Sequence, residues 1–282
     1  AECVFQDYED SPNPVAGGGG GTYMASPPYC AEELRWAGVK IVATANNHAA
    51  DFGIDGILKN LRYLDAAGLQ HAGTGRTLTE ASAPAYVDTA KGRVALVAAV
   101  DWGPRALGDP HMPPPPGYLA AEQTPYSKGR PGINLVRHDA VYTLDTASFD
   151  ALRAVSQRLG FEHTVAARRQ AGTASREEAV QVSTDAECHF MGTRFVRGNE
   201  CTVAPVPRQA DIERNLKWVR DARQMADWVL MSFHDHGVKR SSEEPTDHTR
   251  LLAHAAIDAG ADVFIGHGPH RDLGIEIYKG KP

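Results

Sequence analysis

Three short clusters in the 282-residue chain carry side chains that could do chemistry: Asn46-Asn47-His48 with Asp51, His234-Asp235-His236, and His267-Gly268-Pro269-His270. Imidazole, carboxamide and carboxylate groups are ligands for zinc, manganese or iron, and three loops can aim several of them at one point. His234 and His236 stand one residue apart, so on extended backbone both point to the same side. His267 and His270 flank a Gly-Pro pair that favours a tight turn. In the first cluster, Asn47 can ligate through its carbonyl oxygen, and His48 can stay free of metal as a proton donor or phosphate contact. Asp51, just before Gly53, is placed either to cap the following helix or to join the site. Taken alone, Glu9 in VFQDYED reads as an ordinary surface acid. So do the scattered histidines His71, His111, His138, His163, His189, His248 and His254 as surface residues.

Positioning these groups requires elements that bring distant loops together. Each cluster follows a short apolar run: Val39 to Ala43, Trp228 to Phe233, and Asp262 to Ile265. A further run, Arg93 to Ala99, has the same character, and such runs are expected of buried strands. Between them the apolar spacing turns helical. Ile54, Ile57, Leu58, Leu61 and Leu64 predict a helix over Ile54 to Ala67 that stops at Gly68. Asp211 to Ala226 and Thr246 to Ala259, the latter ending at Gly260, repeat the pattern. Alternating strands and helices predict an α/β layer fold, and ligands of open α/β sheets bind at the carboxyl ends of strands. The clusters fall at those ends.

Composition narrows the function. With 42% hydrophobic and 23% charged residues the chain is globular, and its length suits one large domain. The formal charge of −6 and the absence of a basic, aromatic-laced stretch argue against nucleic acid and for a small or polar substrate. No GxSxG elbow, GxxxxGK[ST] loop or GxGxxG turn is present, and Gly73-Thr74-Gly75 reads as a plain turn. The four cysteines lack CxxC spacing; a Cys188–Cys201 disulfide is allowed, and the compartment stays open. No run is long enough for a membrane span, and the opening residues AECVF read as a strand under way, without a basic or apolar leader. Gly17 to Gly21 and Pro113 to Pro116 mark loops, within longer excursions near 101–134 and 161–207.

The runs ATANNHAADFGIDGILKNLRYLDAAGLQHAGTG, RPGINLVRH and IDAGADVFIGHGPHRDLGIEIYKGKP resemble the CapA family of capsule and poly-gamma-glutamate synthesis proteins, related to calcineurin-like metallophosphatases. The resemblance runs in order from about Val4 to Pro282. It implies a single domain over residues 1–282 with a four-layer αββα sandwich, and a centre of two divalent ions (Mn, Fe, Zn or Mg) at the strand ends. By the same resemblance Glu9 corresponds to the acid of the family's NLE segment, Asn47 to a ligand, and His48 to an acid or phosphate contact. His234 corresponds to the histidine of its HWG or HxH segment, His267 and His270 to its GHxPH; His236 joins them as a ligand through its pairing with His234. Family members open with a strand ending Gly-Asp and continue past GKP into a Ser-Leu-Gly-Asn-Phe segment, so both ends of this chain are expected to fall inside the domain. The implied activity is phosphoester hydrolysis by a metal-activated water, with His48 and Asp51 catalytic. Amide hydrolysis of glutamyl polymers and a non-catalytic scaffold role in a polymer synthesis or export complex are the alternatives. The implied substrate is small or a polyanionic polymer, and the implied location is the cell envelope or outside the cell.

Overall fold

The computed structural model describes residues 2–7, 9, 23–102, 119–173, 183–237 and 243–282. Its elements run β1 (Val4–Phe5), β2 (Ala25–Ser26), α1 (Tyr29–Trp36), β3 (Ile41–Ala43), α2 (Gly53–Ala66), β4 (Gln70–Ala72), β5 (Thr74–Gly75) and α3 (Leu78–Ser82). Then come β6 (Ala85–Thr89), β7 (Gly92–Trp102), β8 (Gly132–Ile133), β9 (Leu135–Leu144), α4 (Thr146–Arg158) and α5 (Phe161–Gln170). The chain continues through β10 (Glu187–Phe190), β11 (Thr193–Arg197), β12 (Thr202–Pro207), α6 (Gln209–Met225), β13 (Trp228–His234), α7 (Asp247–Ala259) and β14 (Val263–His267). This is a mixed α/β chain, as the alternation of patterns predicts. It divides into two compact units, one of the described residues of Ala1–Trp102, Asp109–His138 and Pro207–Pro282, the other of those of Asp139–Val206.

The first unit is organised around β7. One edge of β7 pairs in parallel with β13 from Trp228↔Val94 to His234↔Val100, and β13 in turn pairs in parallel with β14. The other edge takes β6 antiparallel along its first half and β9 in parallel at Val100–Trp102. Side chains of a strand alternate between faces, and β7 shows what that does to the core. Ala95, Val97 and Ala99 pack with Leu216, Val219 and Ala222 of α6 and Leu252, Ala256 and Ile257 of α7. Leu96, Ala98 and Val100 join instead a cluster with Ile41 and Ala43 of β3, Ala72 of β4, and Ile57 and Leu61 of α2. Both faces are therefore covered, which is why β7 and β13 read as unbroken apolar runs rather than alternating ones.

A separate pair of parallel strands, β3 and β4, offers Val42 to a third cluster with Phe5, Ala31, Leu64 and Leu69. Thus α2 contributes Ile57 and Leu61 to one cluster and Leu64 to another. At fully buried positions such as Phe233 and Leu64, each side chain contributes about 1.5–3 kcal/mol of transfer free energy.

The helices end where their chemistry dictates. Thr246 caps α7, its side chain accepting from Thr249 N, and Gly260 closes the helix in the left-handed conformation with φ +118°. The expected cap of α2 is different. Phe52 holds the cap position without a side-chain hydrogen bond, and Asp51 is committed elsewhere. The second unit holds α4 and α5 with a hairpin of β10 and β11, the latter parallel to residues Val141–Leu144 of β9. Its elements lie mostly within the predicted excursion 161–207. Cys188 is buried, Cys201 is exposed, and both are free thiols, so the disulfide that the sequence allows is not formed. Of the predicted loop residues, Gly17 to Gly21 and Pro113 to Pro116, with His111, lie outside the described residues.

Candidate metal centre

Strand register brings the first two imidazoles together. His234 ends β13 and His267 ends β14, and the two are direct partners across the parallel pair. Because Val229, Met231 and Phe233 point to the helix side of the sheet, Ser232 and His234 point to the other. His234 Nδ1 lies 2.9 Å from His267 Nδ1, and its Nε2 lies 2.9 Å from His236 Nε2. The ring of His236 is in turn 5.0 Å from that of His270. All four histidines proposed from the two paired motifs thus share one location.

The turn that carries His270 is shaped by close approach. Gly268 has φ +116°, and a Cβ there would stand 2.9 Å from the carbonyl oxygen of Asp235. Only glycine fits both the torsion and the space. His270 follows in the left-handed region at φ 56°, uncommon for a residue with a side chain, which turns its ring back toward His236. Asp235 N donates to His267 O at 2.8 Å, tying the two loops together.

A carboxylate completes the group, and it is Glu2. Its Oε1 is 3.7 Å from His234 Nε2 and 3.6 Å from His236 Nε2, and Glu2, His236 and His270 each offer a ligand atom within 4.8 Å of the others. Glu9, the acid assigned by resemblance, is exposed, and its backbone N–H donates to Asp7 Oδ1 at 3.1 Å. No periodicity singles out Glu2. Its proximity to the imidazoles is a tertiary fact.

The loop after β3 supplies His48 and Asn47. Thr44 Oγ1 bonds Ala72 O and meets Thr74 Oγ1 at 2.7 Å, which fixes the loop to β4 and β5. Asn46 Oδ1 accepts from His48 N, so the first asparagine acts as a turn-former. His48 Nδ1 then meets Asp51 Oδ2 at 2.7 Å, and the same oxygen accepts from Met24 N at 2.7 Å. Asp51 therefore orients His48 instead of capping α2. Its buried carboxylate, through the hydrogen bond first of all, holds the His48 pKa above its usual value against the effect of burial. The charge of Glu2 adds to that rise, which places His48 within electrostatic reach of the imidazole cluster.

The donor set fits a cation. Burial, reinforced by the neighbouring His267 and His236, pushes the His234 pKa down to about 2, so this ring keeps a lone pair available at neutral pH. Burial also lowers His267, whose Nε2 lies 2.8 Å from Ser232 Oγ. In the tautomer whose Nε2–H donates to that hydroxyl, the lone pair of Nδ1 faces His234, as in histidines that bind a metal through one nitrogen while the other is hydrogen-bonded. Finally, Asn47 Oδ1 is buried and has no hydrogen-bond partner among the described residues. An orphaned carbonyl oxygen costs about 1–3 kcal/mol in a protein interior unless something else binds it. Imidazoles, among them His234 and His267 held neutral by burial, with a carboxylate and an unpartnered amide oxygen, suit a first-row divalent ion.

A second group of the same chemistry lies nearby, built from Asp101, His138 and His248, which no sequence spacing links. The latter two read from sequence as ordinary surface histidines, yet both are buried.

An α/β sheet with imidazoles gathered at its strand ends describes a class of protein. Comparison with known proteins narrows it: the chain belongs to the bacterial capsule synthesis protein family PGA_cap, whose profile matches residues 2–282. It is 32% identical over 267 residues to the uncharacterized protein y4sH of Sinorhizobium fredii, covering 93% of this chain and 51% of that protein. A shorter stretch of 71 residues, 25% of this chain and 18% of its counterpart, is 38% identical to the PGA biosynthesis protein CapA of Bacillus subtilis. A probable polyglutamine synthesis accessory protein of Mycobacterium tuberculosis is 25% identical over 242 residues, covering 86% of this chain and 42% of the relative. The chain spans about half the length of the relatives that it matches most fully. Among the described residues no helix is long and apolar enough to cross a membrane.

Proposed function

We propose that this chain is a metal-dependent hydrolase of the CapA type, acting on a phosphoester within capsule or poly-gamma-glutamate metabolism. The single observation that carries the reading is the convergence of His234, His236, His267 and His270 with Glu2 at the ends of β13 and β14, within electrostatic reach of the His48–Asp51 pair. Glu2, Asn47, His234, His236, His267 and His270 are the residues that would hold divalent ions, two by analogy with the family. Such ions supply Lewis acidity toward a phosphoryl oxygen and toward water.

The remaining steps belong to the chain's own residues. Asp51 fixes the tautomer and orientation of His48 through Nδ1, which leaves Nε2 to deliver a proton to the departing oxygen. The raised pKa keeps more of that proton in place near neutrality. Four layers, with α1 and α2 outside β3–β4 and α6 and α7 outside the β7 sheet, are the architecture we infer from the three core clusters. In that arrangement the site opens at the strand ends between the sheets.

The names of the relatives from B. subtilis and M. tuberculosis favour a second reading, hydrolysis of an amide bond in a glutamyl polymer or service to a polymer synthesis complex. The same ligands suit a carbonyl oxygen as well as a phosphoryl one. Location at the cell envelope is part of this proposal. The test is turnover of a phosphoester panel and of poly-gamma-glutamate with added Mn²⁺. Phosphoester turnover that falls about 10²–10⁴-fold in His48→Ala supports the first reading. Turnover of the polymer alone selects the second, absent turnover of both refutes hydrolysis, and turnover that needs no metal refutes the metal-dependent reading.

A further inference from the structure

Beyond the strand-end cluster, Asp101, His138 and His248, from three parts of the first unit, each bring a ligand atom within 4.8 Å of the others, and Asp235 approaches His248 from a fourth. Asp101 comes from β7, His138 from β9, Asp235 from the segment after β13, and His248 from the first turn of α7. Asp101 Oδ1 is 3.0 Å from His138 Nδ1 and 3.4 Å from His248 Nε2. His248 Nε2 is also 3.5 Å from Asp235 Oδ2. We propose that Asp101, His138 and His248 form a second cation site for one divalent ion of zinc type, with Asp235 beside it.

The distances argue for this. A tetrahedral zinc with bonds of about 2.0–2.1 Å to nitrogen and oxygen separates its ligand atoms by about 3.4 Å along each edge. The observed 3.0 and 3.4 Å from Asp101 Oδ1 to the two imidazoles sit close to that edge. One oxygen, Asp101 Oδ1, is shared by two imidazole nitrogens, as a ligand atom facing a common centre would be. Hydrogen bonding alone would satisfy the carboxylate equally well with one ring on each oxygen.

Charge and enclosure point the same way. Asp101 and Asp235 set two carboxylates against the same buried nitrogen, and their side chains are only 12% and 5% exposed. Bringing two anions together out of water is costly unless a cation offsets them. Asp235 is held beside the group: Thr249 Oγ1 donates to its Oδ2 at 2.6 Å, Thr246 Oγ1 to the same oxygen at 3.1 Å, and Gly237 N to Oδ1 at 2.6 Å. The ion would tie the end of β7 and the first half of β9 to the start of α7, next to the loop that bears His234 and His236.

The test is crystallography of the whole chain grown with Zn²⁺, with anomalous difference maps on both sides of the zinc absorption edge. The expected result is a peak within about 2.2 Å of Asp101, His138 and His248. A peak confined to the His234–His267 cluster, or no peak at all, overturns the proposal. A peak at Asp101 with none at the strand ends supports it, while counting against the hydrolytic metal centre. In solution, Asp101→Asn is expected to lower the zinc retained after dialysis by one ion per chain, with the circular dichroism spectrum unchanged. Undiminished zinc in a folded Asp101→Asn chain overturns the assignment. If that variant does not fold, the maps of the unaltered chain decide.

Discussion

Replacing Asp51 by asparagine, in chain freed of metal with a chelator, isolates what the carboxylate contributes to His48. The side chain of Asp51 is 1% exposed, and its Oδ2 receives both His48 Nδ1 and Met24 N at 2.7 Å. Asparagine keeps the shape and can still accept one of these bonds, so the loss is mainly that of the charge. The His48 pKa lies above 6.5, raised first by its hydrogen bond to Asp51. A base whose folded pKa exceeds its unfolded one contributes stability that is fully present below the unfolded value and lost as pH rises through the folded value. The penalty for Asp51→Asn is therefore greatest near pH 6 and shrinks toward pH 9. A hydrogen bond to a charged partner contributes about 1.5–3 kcal/mol and a neutral one about 1 kcal/mol, which bounds the expected change. Urea denaturation at constant m reads it as a shift in midpoint. A penalty that stays flat with pH, or grows above pH 7, refutes the pairing as drawn.

Three further outcomes are expected. Asp211, fully buried between Arg137 and Arg214, has a pKa that burial alone would raise but that the two guanidinium groups hold below the usual range. Its contribution is present above about pH 4 and lost as pH falls, so Asp211→Asn should cost about 3–5 kcal/mol at pH 7 in urea melts and less in acid. Gly268→Ala places a methyl group against the Asp235 carbonyl at a left-handed torsion, at a cost of about 1–3 kcal/mol. It should also weaken Mn²⁺ affinity measured by calorimetry, since the turn carries His270. Mn²⁺ at about a hundred times its dissociation constant should stabilise the chain by about 2.7 kcal/mol in thermal melts. His236→Ala combined with His270→Ala should remove most of that gain.

Much of the architecture was legible because it rests on local pattern. The helix predicted over Ile54 to Ala67 is Gly53–Ala66, and that predicted before Gly260 ends at Ala259. Buried parallel strands betray themselves as apolar runs, and β13 and β14 were found that way, each extending one or two residues further to end on a histidine. The paired motifs His234/His236 and His267/His270 were visible since short spacing on a strand end or turn already constrains where side chains point. The long signatures around Asn47 and His267 also marked the family, which the match over residues 2–282 shows.

Other features had no local trace. Asp51 looked equally suited to capping α2, and only the fold brings Met24 N and His48 to its carboxylate. Glu2 carries no spacing signal, and its place beside His236 depends on where β1 is laid against β2. Asp101, His138 and His248 lie far apart in the chain, and they become a set because the end of β7, the first half of β9 and the start of α7 coincide. The physical reason for the division is range. Periodicity, capping and turn chemistry act between residues a few positions apart, so the sequence by itself determined which segments are strands, which are helices and where ligating pairs occur. Which pairs face one another, and which isolated acid joins them, is decided by strand register and by the burial of both faces of the β7 sheet, interactions that exist only once the chain has closed on itself.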